Sequence, residues 1–199
     1  MYMLSLMQST PDPQDRQELE SVATELLNLL KIKNHRIYLH SVQVANYSAS
    51  IAAKIGLPNV EIEQIYYAAL LHDIGMLAIP NSLLSKMPYL SRREESQYKS
   101  HAVLGANMLE NVQSCQNILP YIRYHHERWD GGGYPKHLRG VNIPLGARII
   151  AIADYYDLII NPATEHWVKT KKEAKSDLFR ASGLMFDPEI VKSFIEVLG

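Results

Sequence analysis

One cysteine, Cys115, stands in a chain of 199 residues, so no intrachain disulfide framework can form, and a reducing compartment is the ordinary setting for such a composition. The cytoplasm is the expected location. Excess charge of either sign is also missing: 20 Lys and Arg face 21 Asp and Glu. That balance leaves no electrostatic footprint for a polymeric nucleic acid or a membrane surface, so recognition of phosphate must be local and the substrate small. No apolar run reaches the roughly 18 residues that a membrane span requires. The apolar start Met1 to Met7 has no positively charged flank and is cut short by Pro11-Asp12-Pro13, which excludes a signal peptide. There is no series of alternating strands and no internal repeat.

What is present is helical periodicity, over a length and a 47% hydrophobic content that fit one domain with a single core. Leu19, Val22, Ala23, Leu26 and Leu30 recur at three and four residues and predict an amphipathic helix from about Asp15 to Lys31. It reads as a core helix or as the stub of a connector to an upstream module. Further helices are expected at about His35 to Ile55, stopped by Gly56-Leu57-Pro58, and at about Val60 to Asp73. Ser91 and Glu94 form a capping-box pattern, after a loop bracketed by Pro80 and Pro88, for a helix running through His101 to about Asn111. Others follow at about Ile118 to Glu127, from Pro144 to Ile160, from Lys171 to Ala181 and from Pro188 to Leu198. Asp130-Gly131-Gly132-Gly133-Tyr134-Pro135 must be a loop, extending to about Asn142. An all-α chain results, divided into a disordered or variable N-terminus (1–14), an N-terminal helix (15–31) and a helical domain (32–199).

Seven residues carry the chemistry: His40, His72, Asp73, His101, His125, His126 and Asp154. Imidazole and carboxylate are ordinary ligands for divalent iron, manganese, zinc or nickel, and the adjacent pair His72-Asp73 lets one carboxylate lie between two ions. Such a site makes hydroxide and clamps phosphate. Taken singly, His40 reads as a core histidine, because it shares a helix face with Ile37, Val44, Tyr47 and Ile51, and His101 reads as a packing residue. Asp73 follows the apolar run Ala68-Ala69-Leu70-Leu71, where an unpaired carboxylate is expensive; a metal or hydrogen bonds at a helix end would each relieve it. Neighbouring His125 and His126 diverge by roughly 100° on a helix, so both serve one site only between helices or at a helix end. Asp154 sits in the apolar helix Ile149 to Ala153, and Asp157, one turn later, is either an exposed acid or a group that orients a ligand or a water.

In their order, His40, His72-Asp73-Ile74-Gly75, His101, His125-His126-Glu127, Asp130-Gly131-Gly132-Gly133-Tyr134-Pro135 and Ile152-Ala153-Asp154 resemble the HD-GYP family of the HD phosphohydrolase superfamily. Gly140, Ile143-Pro144, Arg148-Ile149 and Phe186-Asp187-Pro188 extend the resemblance. It implies a single domain of about seven to eight helices with a metal centre between them. It also implies a phosphodiesterase that hydrolyses the bacterial messenger cyclic di-GMP to the linear dinucleotide or GMP. By position, the seven residues would bind two divalent ions, iron or manganese before zinc or nickel, with Asp73 bridging. His72, Asp73 and Asp157 would serve catalysis, and Gly133, Tyr134 and Arg148 would meet the substrate.

Three departures from the family pattern bear on activity. The family continues its His-Asp-Ile-Gly motif with a Lys, where this chain has Met76. Members with a third metal carry a Glu one turn before the first His; Arg36 stands there, which points to two metals. After Asp157 the family's Ala-Leu-Thr and Arg-Pro-Tyr-Arg runs are replaced by Leu158-Ile159-Ile160-Asn161-Pro162-Ala163-Thr164-Glu165-His166-Trp167. Lys86, Arg123, Arg128, Arg148, Lys169, Lys171 and Lys172 are candidate replacement cations, and Trp167 and Tyr134 candidate stacking surfaces for guanine. The leading expectation is the phosphodiesterase. The alternatives are a catalytically weak metal- or nucleotide-binding module that signals through a protein partner, and a phosphohydrolase acting on another phosphate ester.

Overall fold

The computed structural model describes residues 12–86, 89–161 and 168–199. Among them no strand forms; the only β feature is an isolated bridge between Ser182 and Phe186. Helix α1 (Pro13–Lys33) begins two residues ahead of the apolar pattern, because Asp12 caps it by accepting from the Gln14 N–H at 2.9 Å and Pro13 suits a first helical position. Asn34 interrupts the chain and caps α2 (His35–Lys54), accepting from the N–H groups of Arg36 and Ile37. Gly56, at a φ of +80°, turns the chain into α3 (Asn59–Leu71).

A 3-10 turn (Ile74–Ala78) and the short α4 (Asn81–Leu84) lead to α5 (Arg92–Lys99), α6 (His101–Met108) and α7 (Leu119–Tyr124). Beyond the glycine-rich loop come α8 (Leu145–Ile160), α9 (Lys171–Ala181) and α10 (Pro188–Val197). Eight of these helices have eight residues or more, in line with the expected number; α4 and α7 are the shorter additions. The helix expected from Ser91 to Asn111 starts with its capping box as read, but it breaks at Ser100 and ends at Met108. Helix α7 ends three residues earlier than expected, so that His125 and His126 fall in the turn after it. Pro88 and the segment 162–167, including Trp167, lie outside the described residues.

Helix α2 is the hub, packed against α1, α3, α8 and α10, and α8 is covered in turn by α7 and α9. Their shared core contains Leu30, Ile51, Ile65, Leu71, Ile122, Ile150, Tyr156 and Phe194, all essentially solvent-free. Each such side chain contributes roughly 1.5–3 kcal/mol by burial, the larger part of what fixes α2 against α8. Helix α1 joins this core through Leu19, Ala23 and Leu30, and Lys33 donates to the carbonyls of Leu77 and Ile79, both at 2.7 Å. The last turn of α1 thereby clamps the 3-10 turn that follows Asp73.

Candidate metal centre

Five elements bring the seven expected ligands together. His40 comes from the second turn of α2, His72 and Asp73 from the end of α3, His101 from the start of α6, His125 and His126 from the turn after α7, and Asp154 from α8. His72, Asp73, His101, His125 and Asp154 are buried, and His40 and His126 are partly so. The close approach of the α3 end to α6 depends on glycine. A Cβ at Gly75 would lie 2.0 Å from the His101 carbonyl oxygen and 2.7 Å from the Gly105 nitrogen, so no other residue lets Asp73 come alongside His101.

Three of the rings are oriented by one device. The Nδ1 atoms of His72, His101 and His125 each lie 2.7 Å from the carbonyl oxygen three residues earlier, at Ala69, Tyr98 and Ile122. A carbonyl only accepts, so Nδ1 carries a proton and Nε2 is the atom each ring turns inward, the one available to a metal. His40 is held differently: its Nδ1 donates to Asp157 Oδ2 at 2.6 Å, while its Nε2 lies 3.0 Å from Asp154 Oδ1. Asp157 is therefore not an exposed acid. It is buried, accepts also from the Asn161 amide at 2.8 Å, and positions His40.

The ligand atoms converge as two groups, one of His101, His125 and His126 and one of His40, His72 and Asp73, each within 4.8 Å among its members. Asp73 faces both. Its Oδ1 is 3.2 Å from His101 Nε2 and its Oδ2 is 3.5 Å from His72 Nε2. His101 Nε2 further lies 3.1 Å from His126 Nε2 and 3.5 Å from His125 Nε2. The buried His72 Nε2 has no hydrogen-bond partner among the described residues. Converging imidazole nitrogens beside carboxylates, one of them buried without a partner, fit bound metal.

The electrostatics agree. Burial opposes a charge on His40, but its hydrogen bonds to Asp154 and Asp157 prevail and push it up to about 10. Burial and the neighbouring imidazoles push His125 well down and His126 down to about 3, so both rings are neutral, as metal ligands must be. Burial would raise Asp73 and Asp154, yet the surrounding histidines hold both below the usual carboxylate range.

The glycine-rich loop closes over His126. A Cβ at Gly133 would lie 2.4–2.5 Å from the backbone of His126, Glu127 and Arg128, so only glycine lets the loop come this near. The Tyr134 ring then stacks on the His126 ring, centroids 4.8 Å apart, and its N–H donates to the His126 carbonyl at 3.2 Å. Burial and nearby acidic groups drive the Tyr134 phenol far up, which keeps it protonated. Glu127, a buried carboxylate that sequence reading noted only as part of a motif, anchors the loop by accepting from the N–H groups of Lys136 at 2.6 Å and Leu138 at 3.0 Å.

Gly133 and Tyr134 thus lie at the centre's edge, whereas Arg148 is engaged elsewhere. Its Nε donates to the Ile143 carbonyl at 2.9 Å, its Nη1 to Asp187 at 2.5 Å, and its guanidinium lies 5.8 Å over the Trp129 ring. Among the other candidate cations, Lys86 pairs with Glu94, Arg128 with Asp130, Lys169 with Asp177, and Arg123 with the Asn107 amide. Met76 is buried, so the 3-10 turn presents no cation at that position. Lys99 approaches the tyrosine of the loop, 5.3 Å from the Tyr134 centroid. Its position two residues before His101 was the available signal.

No helix among the described residues is long and apolar enough to cross a membrane. Residues 25–190 match the HD domain family. The chain is 33% identical over 176 residues to a cyclic di-GMP phosphodiesterase of Thermotoga maritima, covering 87% of this chain and 48% of that one. It is 31% identical over 183 residues to the 3'3'-cGAMP-specific phosphodiesterase 2 of Vibrio cholerae, covering 91% and 35%. The chain therefore spans about half or less of the length of these relatives. In fold it resembles an HDG"Y"P protein from Bdellovibrio bacteriovorus, with a TM-score of 0.66 at 24% identity, covering 80% of this chain and 51% of that one. With its ligand pattern, its all-helical fold and these relatives, the chain belongs to the HD domain family, in its HD-GYP branch.

Proposed function

We propose that this domain is a metal-dependent phosphodiesterase that hydrolyses cyclic di-GMP to the linear dinucleotide or to GMP. The observation that carries the reading is Asp73, whose two oxygens face two separate groups of buried imidazole nitrogens. His101, His125 and His126 would hold one divalent cation, and His40, His72 and Asp154 the other, with Asp73 shared. Iron or manganese is the first choice, zinc or nickel the second, since His and carboxylate suit all four. When bound, two such ions supply hydroxide at neutral pH and stabilise charge on phosphoryl oxygens.

The chain's own groups do the rest. Asp157 and the carbonyls of Ala69, Tyr98 and Ile122 hold the imidazoles in one tautomer, and the buried surround excludes bulk water. Tyr134, protonated and half-buried at the edge, borders the substrate. Arg148 is assigned to the scaffold on its contacts to Ile143 and Asp187. The domain is assigned to residues 32–199, with 15–31 as the helix that leads into it.

A second reading, a metal-holding module that signals through a protein partner, is favoured by one observation: buried Met76 stands where the family places a lysine. Anaerobic hydrolysis of cyclic di-GMP, by protein whose content of two metals per chain has been verified, separates the two. Turnover that disappears in a His72→Ala, Asp73→Ala variant supports the phosphodiesterase; a filled centre without turnover overturns it in favour of the module.

A further inference from the structure

Beside the metal centre an open groove of about 330 Å³ runs between α5 and the glycine-rich loop, lined in part by Arg92, Glu95, Ser96, Lys99, Tyr134 and Pro135. Tyr134 belongs to both places, stacked on His126 and approached by Lys99. Those two spacings put the Lys99 ammonium no more than about 10 Å from the His126 ring, within one substrate's reach of the metals.

The chemistry of the groove is that of a base pocket and not of a phosphate site. Lys99 pairs with Glu95 at 2.7 Å, so the charges cancel locally and a carboxylate stands where a phosphate would be repelled. A carboxylate accepts two parallel hydrogen bonds. Guanine presents N1–H and N2–H₂ side by side on its Watson–Crick edge, with O6 and N7 as neighbouring acceptors; adenine presents there one donor and one acceptor.

Resting on the reading that the domain cuts cyclic di-GMP, we propose that this groove holds one guanine of the substrate. Glu95 accepts from guanine N1–H and N2–H₂, Lys99 and Arg92 donate to O6 and N7, and Tyr134 forms the wall toward the metals. Glu95 is then the residue that distinguishes guanine from adenine, a role that no metal ligand can fill. Both Glu95 and Lys99 are half-exposed, so their replacement leaves the core intact.

The test compares kcat/KM for cyclic di-GMP, 3'3'-cGAMP and cyclic di-AMP in metal-verified wild type, Glu95→Ala, Glu95→Gln and Lys99→Ala. Loss of hydrogen bonds to a charged group predicts that Glu95→Ala lowers kcat/KM for cyclic di-GMP by about 10- to 100-fold, mainly through KM. Cyclic di-AMP should change much less, so the preference for guanine collapses; Glu95→Gln, which keeps one acceptor, should fall between, and metal content should stay at the wild-type value. An unchanged preference in Glu95→Ala, or an equal loss on all three substrates, overturns the base pocket and leaves the phosphodiesterase standing. If wild type turns over none of the three, the phosphodiesterase reading itself fails, and the pocket with it.

Discussion

His40 lies between two carboxylates and is pushed up to about 10, whereas His126, on the other side of Asp73, lies among imidazoles and is pushed down to about 3. The same side chain is thus prepared in opposite ways within one centre. On the α2–α8 side, acidic groups supply negative charge and orient the ring through Asp157. On the α6–α7 side, main-chain carbonyls orient the rings of His101 and His125, and no carboxylate belongs to the group itself. On the proposed two-metal reading, a carboxylate-rich half and an all-nitrogen half joined by Asp73 would give two unequal cation sites, and this asymmetry can be tested directly.

The largest effect is expected where the halves meet. Asp73→Asn removes the shared charge from both, and should lower hydrolysis of cyclic di-GMP by roughly 1,000-fold or more, about 4 kcal/mol in barrier. Elemental analysis of the purified variant should show less than the full complement of two ions. Gly75→Ala attacks the same junction through the backbone: a methyl group 2.0 Å from the His101 oxygen forces α3 and α6 apart. Denaturant unfolding should reveal a loss of about 3 kcal/mol or more, in the range of severe core defects.

Asp157→Asn distinguishes one half from the other. Removing a charged partner of a ligating histidine weakens metal binding by about 10- to 100-fold. Metal titration should show that loss for one ion only, with the site of His101, His125 and His126 unaffected; equal weakening of both would dissolve the asymmetry.

The smallest effect is the pH response of metal-stripped protein. His40 has a folded pKa of about 10, above the 6.5 of the free ring, so it binds more protons folded than unfolded. Its stabilising contribution is complete below about 6.5 and is lost as pH rises toward 10. His126, at about 3, is neutral when folded, so its contribution is complete above 6.5 and is lost as pH falls toward 3. Thermal unfolding of the apoprotein should therefore be most resistant near pH 6.5 on account of these two groups. Restoring the metal should flatten both arms, because bound ions displace the protons concerned.

Much of this was legible in the residues. The periodicity of Leu19 to Leu30, the capping box at Ser91 and Glu94, and the stop at Gly56 are local signals, settled within a turn or two of helix, and they appear where expected. The seven candidate ligands could be named because their order along the chain resembles the HD-GYP pattern, although several of them taken singly read as packing residues. The break at Ser100 was not legible, since nothing in the sequence of α5 and α6 forbids one continuous helix.

Other matters were decided only by packing. That Asp157 is a buried partner of His40 follows from α2 lying on α8, 117 positions apart in the chain. That Arg148 serves Asp187, and that Lys99 instead reaches Tyr134, follows from where the loop and α10 come to rest. The sequence by itself determined most of the helices and the candidate ligands, because propensity, capping and ligand chemistry are properties of residues and near neighbours. Which oxygen of Asp73 faces which imidazole group, and which cation stands at the edge of the centre, depended on the tertiary structure, because those are distances between elements that only the folded core fixes.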